Sequence, residues 1–360
     1  MPSCRLSYQN IKSDYEAPQE KPRAVVGVFS TQKGRGLGTD RGCILIKDFI
    51  SAVVVMALIL TAAVLTPLVG PVAEFFVPLP VMYYSTRLGR IKVAAVFLLA
   101  LFLVTVPVVL FGLKINFALF FFLGLFGLVL SELFKKDLTI ERTVLYGTFV
   151  ILTVALLLLG YHLQRTGQNP VQAVESFVRD GVDESIGAYA QLGMPAEQVG
   201  ELRKSVPHVV RAILGLLPAF VVISAVTFVV LNVLVGMAFL RKRGLPARDF
   251  GDLNLWKIPD RMVWFVIAAG TLVLIPQENI RLIGLNLLVV FLFAYVLQGF
   301  AIINYFFTRK RIPVFLRWVV YTLIFVQNVF LLVVAVIGFA DIWVDFRKIN
   351  PPAADSVSQE

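Results

Sequence analysis

LIGLNLLVVFLFAYVLQGFAIINYFFT, residues 282–308, contains no acidic or basic side chain. As an α-helix rising about 1.5 Å per residue it reaches about 40 Å, and the hydrocarbon core of a bilayer is about 30 Å thick. A helix on a soluble protein needs a polar face, and this stretch has none. Its apolar residues run continuously instead of alternating, which excludes a strand of an outer-membrane barrel. The segment is a membrane helix, and the chain repeats the pattern. Uncharged stretches run over 49–73, 93–113, 115–131, 143–164, 212–240, 262–277 and 318–340 as well.

Composition agrees. The 360 residues are 58% hydrophobic and 16% charged, with 30 Phe, whereas soluble domains run at about 45–50% and about 25%. Mean hydropathy is +0.82. A water-soluble enzyme, a nucleic-acid binder and a disordered chain are excluded. The expected fold is all-α: one polytopic bundle of about nine spans with an extracytoplasmic helical hairpin, its partner being the lipid bilayer. The formal charge of +10 reads as the positive-inside bias of membrane loops. Cys4 and Cys43 both precede the first span, so no disulfide framework is expected. The first residues hold no apolar run ending at a small-residue cleavage site, so no signal peptide is expected.

The ninth span is 72–88, interrupted by Pro78 and Pro80. If it crosses, the N-terminal tail, Arg87/Arg90/Lys92, Lys135/Lys136/Arg142, Arg241 to Arg261 and Arg309 to Arg317 share one side, as the positive-inside rule requires. The N-terminus is then cytoplasmic and the C-terminus extracytoplasmic, with Trp318 and Trp343 at the two interfaces of the last span. The organisation that follows is a disordered basic tail (1–46), five spans (47–164), an outer hairpin (165–208), four spans (209–346) and a disordered end (347–360).

In the insert, Asn169–Pro170 reads as a helix start. Val171, Val174, Val178, Val182, Ile186 and Tyr189 then recur at helical spacing. Gly193 and Pro195 break the stripe, and a second short helix carries Val199, Leu202 and Val206 up to Pro207. In the tail, Gly34–Arg35–Gly36–Leu37–Gly38 lacks the Lys-Ser/Thr of a phosphate-binding loop. No nucleotide cofactor is expected, and any ATP dependence must come from another chain.

Histidine is confined to His162 and His208, without Cys or a H-E-x-x-H pair, so no metal site is expected. No nucleophile–base motif is visible, and Glu74, Glu132 and Asp341 fall in different spans, so no catalytic residue and no enzymatic activity are expected. Polar residues at membrane depth are the stronger lead, because each needs a partner or a wet cavity. Glu74, Pro78, Pro80, Tyr83 and Tyr84 in the broken span, with Asn286, Gln298 and Asn304 in 282–308, are the candidate lining of a small-molecule cavity. The competing reading makes Glu74 an interfacial carboxylate and the amides helix–helix glue. Ala57/Thr61, Ala62/Thr66 and Gly127/Ser131 form small-residue pairs for close helix or partner packing, and Gln327–Asn328 is a further amide pair of that kind.

DFGDLNLWKIPDRMVW (249–264), QGFAIINYFF (298–307) and GFADIWVDFRK (338–348) resemble the YybS-like family of bacterial membrane proteins over roughly 45–348. The specific pieces are Trp256 with Pro259, Gln298–Gly299, and Asp341 with Asp345, Arg347 and Lys348. That family's shared domain has no assigned function. It is distantly similar to the substrate-binding subunits of energy-coupling-factor transporters, which take their ATPases and a coupling membrane protein from separate chains. The resemblance implies a small-solute binding or transport subunit in the bacterial inner membrane. The alternative is a non-catalytic scaffold for cell-envelope or division partners.

Overall fold

The computed structural model describes residues 37–348 except 67–68, 114, 168 and 246–249, with the backbone alone for 37–45, 162, 166, 170 and 328. The glycine run at 34–36, both cysteines' side chains, the His162 side chain and the end from 349 lie outside the described parts. Every described element is helical: α1 (Leu37–Leu65), α2 (Gly70–Phe75), α3 (Pro78–Leu88), α4 (Arg90–Leu110), α5 (Phe117–Lys135), α6 (Ile140–Thr166), α7 (Pro170–Gln191), α8 (Ala196–Lys242), α9 (Met262–Val273), α10 (Glu278–Arg309), α11 (Val314–Val326) and α12 (Asn328–Val344), plus one 3-10 turn at Leu253–Leu255. Helix α1 begins at Leu37, so the expected irregular tail does not extend to residue 46.

Among the described residues six helices are long and apolar enough to cross a membrane, with a seventh candidate in the bent pair α11–α12. The expected count of about nine spans thus corresponds to six long helices and three short or broken segments, each with proline or a polar break. Pro71 opens α2 and Pro78 opens α3, positions where a missing N–H costs no helical bond. The result is two short helices in place of one span. Pro276 follows the end of α9, which is only 12 residues long. At Gln327 the backbone leaves the helical region, and α11 and α12 meet at 106°.

Contacts show that α2–α3 nevertheless carries the chain back to the end where α1 starts. Arg87, in the last turn of α3, pairs with Asp48 in α1 at 2.9 Å. At the other end a Cβ on Gly70 would lie 2.8 Å from the Ala63 carbonyl, so only glycine permits that approach. Gly89, at φ 81°, turns the chain from α3 into α4 in a single residue, a conformation glycine tolerates.

A large apolar core joins α1, α3, α4, α5 and the second half of α8, through Met56, Leu60, Val81, Leu101, Leu130 and Val233 among others. A Cβ on Gly127 would meet the Pro78 carbonyl at 2.8 Å, and Ser131 donates to Ser85 at 2.8 Å. These contacts hold α3 and α5 side by side.

The hairpin of α7 and α8 has a separate small core of Ile186, Val206 and Val210. Its second arm is not the expected short helix. Pro207 and Pro218 lie inside α8, which runs unbroken for 47 residues, roughly 70 Å. The expected boundary at residue 208 thus falls within one helix. The near half of α8 serves the hairpin, and its far half packs into the N-terminal core.

Candidate functional site

Helix α10 is the mast of the C-terminal half, and three of its amides, Asn286, Gln298 and Asn304, each hold a different neighbour. Nearest the hairpin, Asn286 donates from Nδ2 to the Gly215 carbonyl at 2.7 Å and accepts from the Ala219 amide at 2.9 Å. Gly215 and Ala219 are the two ends of what would be one bond in the α8 ladder. The amide has inserted at the turn that Pro218 disturbs, a recognised cause of helix bending. At the far end Asn304 donates to Asn254 Oδ1 at 2.6 Å, and its own Oδ1 accepts from the Tyr321 hydroxyl at 3.4 Å.

Between them, Gln298 is fully buried. Its Oε1 accepts from the Ile258 amide at 3.0 Å, and its Nε2 donates to Asp341 Oδ2 at 3.0 Å. Arg347 Nη2 donates to the same oxygen at 2.7 Å, with both charged side chains at 0% exposure. Arg347 Nη1 donates to the Asn254 and Trp256 carbonyls at 2.7 and 2.8 Å, and Asp341 Oδ1 accepts from the Phe346 amide at 3.0 Å. The left-handed residue Asp345, φ 42°, ends α12 and turns the chain so that Arg347 points back at Asp341. The lock thus ties α10, α12 and the 252–258 loop together. Trp256 extends it to α6 by donating from Nε1 to Glu141 at 2.6 Å.

This arrangement differs from a straight last span over 318–340. A straight span over 318–340 would leave Arg347 a membrane's width from the loop between α8 and α9. Instead Arg347 bonds that loop directly, so Arg347 lies beside Asn254 and Trp256. Trp318 and Trp343 flank a sharp bend and do not mark two ends of one helix. Gln327 is exposed at that bend, where its carbonyl accepts from the Phe330 amide, and Asn328 begins α12. The Asn328 side chain lies outside the described parts.

The expected lining residues have separate surroundings. Pro78, Pro80, Tyr83 and Tyr84 are buried in the apolar core, where Tyr83 meets Tyr84 and Phe239 edge to face. Glu74 is half-buried. The neighbouring Phe75 carbonyl, at the break before α3, accepts from Asn232 on α8 at 3.2 Å. Asn232 and Ala219 are 13 residues apart on α8, roughly 20 Å of helix, so Glu74 and Asn286 attach at separate levels. In α1 the core-facing positions are Ala52, Met56 and Leu60. Ala57, Thr61 and Ala62 lie half-buried beside them, and Thr66 donates to the Ala62 carbonyl. His208 is exposed on α8, and among the described residues no group of three His, Cys, Asp or Glu side chains could hold a metal ion.

The residues that sequence reasoning undervalued are Arg347 and Glu141. In the sequence Arg347 stands out only as a piece of the motif with Asp341, Asp345 and Lys348. The available signal was an acid–base pair spaced six apart at the end of an apolar run, but only the bend shows that the pair is buried. Beside the lock a cleft of about 320 Å³ is lined by Thr139, Ile140, Glu141, Phe250, Asp252 and Trp256, among others. This is the low end of ligand-pocket volumes.

Comparison with known proteins gives the context. Residues 54–342 match the family described as "Predicted membrane protein (DUF2232)", and the chain belongs to that family. No curated protein and no solved structure matches it.

Proposed function

We propose that this member of a multi-pass membrane family is a non-catalytic docking subunit of the bacterial inner membrane, engaging an envelope partner through the α7–α8 hairpin. One observation carries the reading: Pro78, Pro80, Tyr83 and Tyr84 are buried in the apolar core, and Asn286, Gln298 and Asn304 tie α10 to neighbouring helices and loops. A carrier needs a ligand-sized space open to one side, whereas a docking subunit works with a solid core. The hairpin adds support. Its α8 arm exceeds the bilayer's thickness, and Phe177 and Leu192 are 79% and 83% exposed beyond the small hairpin core. Exposed apolar side chains outside the bundle favour a protein contact.

In the arrangement we favour, the ends carrying Asp48, Arg87, Lys135, Trp256 and Arg347 face the cytoplasm. Most of the chain's 33 basic residues then lie inside, now with Arg347 and Lys348, as the positive-inside rule asks. Both termini are cytoplasmic in this reading, and α11–α12 enters the membrane and turns back.

The second reading is a solute-binding subunit that borrows an ATPase and a coupling membrane protein, as kinship to the energy-coupling-factor subunits would imply. The cleft beside Glu141 and Trp256 favours it. C-terminally tagged protein, purified from native membranes in mild detergent, separates the two when co-purifying proteins are identified by mass spectrometry. The docking reading expects envelope or division proteins that are lost from a Phe177→Asp, Leu192→Asp variant with unchanged thermal stability. Recovery of an ATPase pair would overturn it in favour of transport. So would a wild-type pull-down holding no partner.

A further inference from the structure

A groove of about 280 Å³ lies at the corner where α3 turns into α4, lined by Ile46, Phe49, Leu88 and Lys92. Three of its four walls are apolar and the fourth is a cation. The corner exists because Gly89 joins α3 to α4 in one residue at φ 81°, which sets Lys92, in the first turn of α4, next to Leu88 in the last turn of α3. Helix α1 closes the far wall, held there by the Asp48–Arg87 pair. Ile46 is 62% exposed. Both Ile46–Leu65 and Arg90–Leu110 are of membrane length, and the groove sits at the shared end of the two, where acyl chains meet headgroups.

Charge at this corner is unbalanced. Asp48 is neutralised by Arg87 at 2.9 Å and Glu132, on neighbouring α5, by Lys135 at 2.8 Å. Arg90 and Lys92 are exposed, and among the described residues Lys92 has no hydrogen bond or ion pair. Long basic side chains at a membrane boundary lie along apolar surface and hold their charge at headgroup level. An apolar trough ending in such a cation is complementary to one class of molecule, an acyl chain carrying a phosphate.

We propose that this groove is a seat for one anionic phospholipid, its acyl chain against Ile46, Phe49 and Leu88 and its phosphate on Lys92, with Arg90 contributing to the attraction. Occupancy fills the apolar recess between α1 and the α3–α4 corner. It also shields the Asp48–Arg87 pair from competing ions.

The test uses full-length protein in detergent, titrated with phosphatidylglycerol or phosphatidylcholine of the same chains while thermal stability is followed. Phosphatidylglycerol raises the melting temperature and phosphatidylcholine does not. Lys92→Glu weakens the phosphatidylglycerol response by at least about fivefold in apparent affinity, since one basic residue near a headgroup contributes about that factor. Lys92→Arg retains the response, and Lys310→Glu, in the loop between α10 and α11, leaves it at the wild-type level. Ile46→Trp, which fills the trough, abolishes it; equal melting temperatures in lipid-free detergent show that the variants are folded. A response unchanged by Lys92→Glu overturns the seat. So does an equal response to phosphatidylcholine, which would mark a merely apolar groove, or to inorganic phosphate alone, which would mark a simple anion site.

Discussion

The two halves of this membrane bundle differ in how far buried polar bonds join them. In the N-terminal half, α1, α3, α4, α5 and the far part of α8 share one apolar core, and backbones approach where Gly70 and Gly127 carry no Cβ. In the C-terminal half the cluster of buried apolar side chains shrinks to Val296, Ile324, Val334 and Ala335, and buried hydrogen bonds from Asn286, Gln298, Asn304 and Arg347 do the joining. Lipid tails are as apolar as leucine, so membrane helices gain little by hiding apolar surface from one another. Close packing and internal polar bonds are the two remaining means; Gly284, Gly299 and Gly338 give the C-terminal half close approaches as well, and the buried ion pair sets it apart.

That contrast can be broken most decisively at the ion pair. Arg347→Ala leaves Asp341 charged and buried with one partner fewer, so it should destabilise the C-terminal half by about 3–5 kcal/mol. Unfolding of detergent-solubilised protein measures the loss, and cysteine accessibility at positions 254 and 256 should rise with it. A loss under about 1 kcal/mol would mean that the lock does not hold the C-terminal half. Replacing both members, Asp341→Leu with Arg347→Leu, should cost less than the single substitution, because no stranded charge remains.

A smaller effect tests whether packing matters in the C-terminal half too. A Cβ on Gly338 would collide with the Tyr295 carbonyl where α12 crosses α10, so Gly338→Ala should cost about 1–3 kcal/mol. A cost matching that of Arg347→Ala would dissolve the distinction between the halves. The smallest expected effect sharpens it from the other side. Ser85→Ala removes the one hydroxyl bond between α3 and α5 and should cost about 0.6 kcal/mol in the same assay. A loss several times larger would show that the N-terminal half also depends on polar bonds.

Much of the fold was legible in the chain because charge-free runs of membrane length have few alternatives. The long helices at Arg90–Leu110, Phe117–Lys135 and Glu278–Arg309 fall where the apolar stretches predict them. The N-cap at Asn169 was legible too, since its side chain accepts from the Val171 amide. Prolines were harder to read. Pro78 opens a new helix after a break while Pro207 and Pro218 lie inside a continuous one, and the outcome depends on what each neighbour supplies. Near Pro218, Asn286 inserts between Gly215 and Ala219; at the break before Pro78, Asn232 caps the Phe75 carbonyl.

The candidate site was legible only as a set of residue types. Hydropathy locates Gln298, Asn286 and Asn304 at membrane depth, and it cannot say whether an amide faces a cavity or another helix. By itself the sequence determined that this is an all-helical membrane protein, which segments are apolar, and that its polar residues need partners, because desolvation and backbone satisfaction in lipid are local demands. Tertiary structure alone decided which partners they found. Asp341 meets Arg347 and Gln298 because α12 folds back across α10 at a bend no hydropathy window registers, and contacts between distant segments depend on where the chain turns.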